Sequence, residues 1–136
     1  VMGCKVTISE WLAQVDELGM AATQAEPDQQ DAYIFAMGRM LSHCPGDFAH
    51  ARLSDSQDER ICAFVGKGAY ADAALALLPA RSGLMTSCVG QLMACASVRL
   101  EGQVGETTAT GQTFALAIVS ALALSFLDAY AAFALV

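Results

Sequence analysis

From Thr107 to Leu127 the chain carries no charged residue, and that run governs how the rest can fold. It is long enough to cross a bilayer, which takes roughly 20 apolar residues. Its opening argues against that use. Thr107, Thr108, Thr110, Gly111 and Gln112 read as a strand and a turn, which leaves Thr113 as the N-cap of a helix. Asp128 then arrives before a span is complete. An Asp near mid-bilayer costs roughly 3 kcal/mol on insertion scales, and no Lys or Arg follows to anchor the C-terminal end. The favoured reading is a buried helix, with membrane association as the alternative. Phe114, Ile118, Leu122, Phe126, Tyr130 and Phe133 share one broad side of it. Ala117, Ser120, Ala121, Ser125 and Asp128 share the other, where small side chains let a helix lie close on a sheet or on another helix.

A helix of this kind needs walls, and 136 residues suffice for one domain to supply them. With 55% apolar and 15% charged residues the chain is not disordered. It holds more apolar surface than so small a domain readily hides, which points to cover by a partner, a second copy or lipid, with self-association the expectation. Fourteen acidic residues against seven basic ones give a net charge of −7. The basic residues, Lys5, Arg39, Arg52, Arg60, Lys67, Arg81 and Arg99, are scattered, so non-specific binding to nucleic acid is excluded. Five cysteines, at 4, 44, 62, 88 and 95, match no disulfide scaffold. Residues 1–20 lack a basic start followed by an apolar block, so no signal peptide is expected. Reduced, mostly buried thiols in a cytoplasm follow from both observations.

Residues 7–18 predict a helix, with Thr7 and Glu10 at capping-box spacing, an apolar face of Ile8, Trp11, Leu12, Val15 and Leu18, and Gly19 as its stop. A polar linker follows at 23–26. Pro27 suits the first position of a second helix, with Asp28 and Asp31 near its positive end and Tyr33, Ile34, Met37, Met40 and Leu41 on its apolar face. Pro45-Gly46 ends it. Residues 45–60 are the most polar stretch and read as an exposed loop. Residues 61–65 read as a short strand, and Gly66-Lys67-Gly68 as a turn. A third helix covers 70–78. Strands follow at 84–89, at 93–100 and at 103–109, joined by turns at Gly90-Gln91 and Glu101-Gly102. Along the middle strand Ala94, Ala96, Val98 and Leu100 alternate with Met93, Cys95, Ser97 and Arg99.

Two segments have a familiar form. Tyr70-Ala71-Asp72-Ala73-Ala74-Leu75-Ala76-Leu77-Leu78-Pro79 resembles a helix of the phage ABA sandwich domain family, and Thr113-Phe114-Ala115-Leu116-Ala117 resembles the start of that family's final helix. The leucine-bearing helix from Trp11 to Leu18, the turn Glu26-Pro27-Asp28 and the alanine-bearing helix from Ala32 to Met40 follow the family's order. Residues 79–84 lack the family's tryptophans, the final helix lacks its arginine, and Phe114 replaces its proline. The resemblance implies a small phage or prophage protein with a helix–sheet–helix sandwich, and it brings no catalytic residues with it.

No chemistry-bearing constellation emerges from the rest. His43, Cys44, His50 and Cys62 lack zinc-ligand spacing. Cys44 with His43 or His50 lacks an orienting third group and an oxyanion hole. Cys88 and Cys95 sit in adjacent strands and read as buried thiols, with a pair across the strands as the alternative. Gly66-Lys67-Gly68 lacks the glycine spacing of a phosphate loop. The expectation is therefore a single α+β domain over 1–136, with a helical part at 7–45 and an antiparallel three-stranded sheet sandwiched with helices at 61–132. It is a non-enzymatic protein that binds another protein, with no catalytic, metal or cofactor site. The alternative is a self-assembling or membrane-associated subunit. The residues expected to carry a homo-oligomer contact are Ile118, Leu122, Phe126, Tyr130 and Phe133.

Overall fold

A computed structural model describes residues 7–90 and 93–134. Helices α1 (Ile8–Gln24), α2 (Gln30–Ser42), α3 (Asp55–Gly66) and α4 (Tyr70–Ala76) precede strands β1 (Gly83–Val89), β2 (Met93–Arg99) and β3 (Thr107–Gly111), and α5 (Phe114–Ala134) closes the chain. Short 3-10 turns lie at Pro27–Gln29 and Gly46–Ala51. The fold class is the expected one: α+β, with helices before and after an antiparallel three-stranded sheet ordered β1-β2-β3.

The charge-free run forms the centre. Residues 115–123 of α5 are buried without interruption, as are Ser125 and Phe126. An all-round apolar helix belongs inside a core or a membrane. Here α1, α2 and α4 pack on some sides of α5, and β2 and β3 on another. The stretch Phe114–Ala132 has the length and hydropathy of a membrane span, and 67% of it is buried within the fold. On its large side Phe126 meets Trp11 and Phe48 edge-on, with ring centroids 5.2 and 5.0 Å apart. Trp11 donates its indole N–H to the Met40 carbonyl at 2.9 Å, which ties α1 to the end of α2.

The small side makes the close approaches. A Cβ built on Gly19 would stand 2.6 Å from the Ala123 Cβ, and one on Gly111 would stand 2.8 Å from the Ala117 amide nitrogen. Buried hydroxyls on this side all find acceptors, as burial requires. Ser120 donates to the Gly19 carbonyl at 2.8 Å and Ser125 to the Val98 carbonyl at 3.1 Å. Thr107 has one proton to give, and the Ala121 carbonyl, at 3.1 Å, and the Ser125 oxygen are alternative acceptors for it.

Several local expectations are corrected. Gly19 does not stop α1. The helix continues to Gln24, taking in the first half of the supposed linker, and the missing side chain serves contact with α5. Residues 45–60 are not an exposed loop. Phe48 and Ala51 are buried in the 3-10 turn, and α3 begins at Asp55 behind a capping box between Ser54 and Gln57. Residues 61–65 are helical, because five apolar residues without flanking context fit either period. The third strand begins at Thr107, and Gln103 instead folds inward. Its amide oxygen accepts from the Leu100 N–H at 2.9 Å, and its nitrogen donates to Asp128 at 2.8 Å. The helix α4 packs on α3, α5 and α2, so it flanks the core helix where the sequence suggested that it covers the sheet.

Candidate functional site

The expected contact residues on α5 sit elsewhere than anticipated. Ile118, Leu122 and Phe126 are at most 1% exposed and belong to the core, and Tyr130 is half-buried against it. Ile118, Leu122 and Phe126 cannot offer a surface while the chain is folded. Phe133 lies in the last turn of α5, and its side chain falls outside the described residues. The fold consumed this face because α1 and the aromatic pair Trp11 and Phe48 meet it from the N-terminal half, a contact that helical periodicity within α5 does not reveal.

The sheet exposes a different surface. In β2 the inward residues Ala94, Ala96 and Val98 are buried, while Met93, Cys95, Ser97 and Arg99 point away, matching the alternation in the sequence. The outward face continues through Met85, Ser87, Thr108 and Thr110. Met85 is 68% exposed, and Ser97 bonds Thr108 at 2.7 Å across the strands. Among the described residues no helix covers this face.

The two edges of the sheet differ. Beside β3 lies α1. Among the described residues no element lies beside the free side of β1, and Met85, Thr86, Ser87 and Cys88 are all exposed. Natural edge strands are usually blunted by a charge, a proline or a bulge. The strand Gly83–Val89 contains no charge and no proline, and its register with β2 runs unbroken from Gly83↔Arg99 to Val89↔Met93. It therefore presents an unbulged row of backbone N–H and C=O groups of the kind that accepts another strand.

The start of β1 is fixed by a tight turn after α4. Ser82 donates its hydroxyl to the Pro79 carbonyl at 2.7 Å. Arg81 adopts φ 64, the only positive φ at a non-glycine among the described residues. A pocket of about 350 Å³ opens there, lined by Arg81, Ser82, Gly83, Arg99, Leu100, Glu101 and Gly102. Arg81 pairs with Glu101 at 3.3 Å, and Arg99 donates through Nε to the Gln103 carbonyl at 2.9 Å.

The residues weighed for metal or thiol chemistry are dispersed. Cys44 is buried, and burial pushes its thiol up to about 12, with Arg52 opposing weakly. A thiol held protonated is a poor nucleophile at neutral pH. His43 and His50 are exposed, His43 with Nδ1 bonded to the Arg39 carbonyl at 2.9 Å, and Cys62 is exposed on α3. No group of three metal-ligating side chains occurs among the described residues. Cys88 stands opposite Ala94 and Cys95 opposite Ser87, so the two cysteines lie on opposite faces of the sheet and cannot pair. Cys4 and Gln91 lie outside the described residues. Comparison of the chain with protein-family models, curated proteins and solved structures finds no match.

Proposed function

We propose that this chain is a small, non-enzymatic, phage-type protein of the bacterial cytoplasm that binds another protein, as an inhibitor of a host system or an accessory factor, and that it does so by strand addition to β1. The observation that carries the reading is the open, unbulged, charge-free edge of Gly83–Val89. Main-chain hydrogen bonds to such an edge supply affinity, and alternate side chains supply selectivity. The ABA-sandwich resemblance of residues 70–79 and 113–117 supports the phage-type part of the reading.

A proline scan tests it. Consecutive residues of a strand turn their N–H groups to opposite sides, so one of Thr86 and Ser87 donates outward. Proline at that position removes an outward donor and spares the ladder to β2. Of Thr86→Pro and Ser87→Pro, the variant that keeps the wild-type melting temperature is the informative one. It should lose binding to a labelled seven-residue peptide of alternating threonine and valine, measured by fluorescence anisotropy. Undiminished binding would refute strand addition. A second reading, self-assembly, rests on the same edge. Two chains of net charge −7 can approach there without like charges meeting, and antiparallel pairing about Thr86 sets Leu84 against Cys88 of the other copy. A sedimenting dimer that the same proline variant dissociates would favour it.

A further inference from the structure

We infer that the groove between α1 and α2 is where a second copy of this chain docks, laid face to face about a two-fold axis that runs along the groove. The surface is separate from the β1 edge, and the inference stands or falls without strand addition. Three observations carry it. The first is the groove itself, of about 460 Å³, with an apolar lining of Leu18, Ala21, Tyr33, Ala36 and Met40. All five stay partly exposed in the folded chain. The second is what flanks it. On α1, Ala13 and Met20 lie four residues before and three after Glu17, on one side of the helix, and Met20 is 63% exposed. On α2, Phe35 lies four residues before Arg39 and is 39% exposed. Apolar surface therefore continues past both rims, as at sites of association. The third is charge. Glu17 stands on the α1 rim and Arg39 on the α2 rim. They do not pair across the groove, since the only ion pair among the described residues joins Arg81 to Glu101.

Symmetry selects the occupant. The two helices run antiparallel, with Trp11 near the start of α1 bonded to the Met40 carbonyl near the end of α2. A two-fold axis along the groove lays α1 of each copy on α2 of the other. Each Glu17 then faces the rim that carries Arg39 of the other copy, and the pair forms twice, as a self-complementary contact requires. An axis across the groove would instead set α1 on α1, acid rim against acid rim. The chosen arrangement is a four-helix layer in which neighbours are antiparallel. A chain of net charge −7 repels its own copy over most of its surface. The groove lining carries one acid and one base, so the copies meet there without net repulsion. The contact spans two helix widths by the length of α2, each roughly 20 Å, which gives roughly 400 Å² of projected area per copy. That is the size of a weak, reversible interface, so the dimer belongs to micromolar and higher concentrations.

Sedimentation equilibrium of the whole chain, from tens to hundreds of micromolar, makes the test. Wild type should show a monomer–dimer equilibrium. Glu17→Arg and Arg39→Glu, each alone, set like charges together at both ends of the contact and should weaken it by roughly tenfold to a hundredfold. Both side chains are exposed, so the folded chain tolerates either change. The double variant exchanges the two charges and should dimerise about as well as wild type. An equimolar mixture of the two single variants should form a heterodimer, because each then offers the charge that the other lacks. A wild-type monomer throughout that range overturns the inference. So does a dimer that both single reversals leave intact, or a double variant that stays monomeric. A dimer that the β1 proline variant dissociates and the charge reversals spare belongs to the sheet edge, and overturns the groove as its seat.

Discussion

Replacing Gly19 by alanine should destabilise the protein, against the ordinary preference of helices. In an exposed helix interior the change gains roughly 0.8–1.0 kcal/mol. Here the new methyl would stand 2.6 Å from the Ala123 Cβ, while carbon atoms settle at about 3.5–4.0 Å. The helix α1 must therefore retreat from α5 by about 1 Å. Overpacking of this kind costs about 1–3 kcal/mol. Retreat also stretches the 2.8 Å bond from Ser120 to the Gly19 carbonyl, a loss of about 1 kcal/mol. The balance is a net loss of about 1–3 kcal/mol, or a fall in melting temperature of roughly 3–10 °C for a domain of this size. Thermal unfolding followed by circular dichroism measures it. Adding Ala123→Gly removes the opposing methyl, so the double variant should recover at least about 1 kcal/mol relative to the sum of the single changes. A Gly19→Ala variant as stable as wild type, or an additive cycle, would refute the close crossing of α1 and α5.

Gln103→Leu keeps the volume but leaves the Leu100 N–H without its acceptor, and should cost about 1–3 kcal/mol in chemical denaturation. Cys44 has a folded-state value of about 12 against 9.0 when free, so its contribution to stability is complete below pH 9 and is lost as pH rises from 9 through 12. Denaturation midpoints over that window should fall more steeply for wild type than for Cys44→Ala, and a thiol reagent should modify Cys62 and Cys88 well before Cys44. Arg81→Gly relieves the left-handed backbone and should raise stability by about 0.5–1 kcal/mol in the same denaturation assay.

The core was legible in the sequence where periodicity was long. The charge-free run, the alternation of β2, the apolar faces of α1 and α2 and the small-residue side of α5 all stand where their spacing puts them. Short or polar segments were not legible. The helix α3 buries only Ile61 fully, so its first half looks like a loop, although the Ser54 and Gln57 capping box was readable. Gly19 carries two meanings in sequence, helix stop and helix contact, and only the position of Ala123 decides between them. The candidate site was half visible. Residues 84–89 read as a strand, but an edge is a property of the assembled sheet. The pocket joins Arg81 to Arg99, which are 18 positions apart and come together only through the β1–β2 register.

Amide hydrogen exchange of the intact chain, with and without the seven-residue peptide of alternating threonine and valine, tests strand addition most directly. An added strand closes a second ladder on β1, so the outward amides between Gly83 and Val89 should exchange more slowly with peptide present, while those of β3 stay unchanged. Protection that appears instead along the groove of about 460 Å³ between α1 and α2, or no added protection in β1 at saturating peptide, would contradict the account.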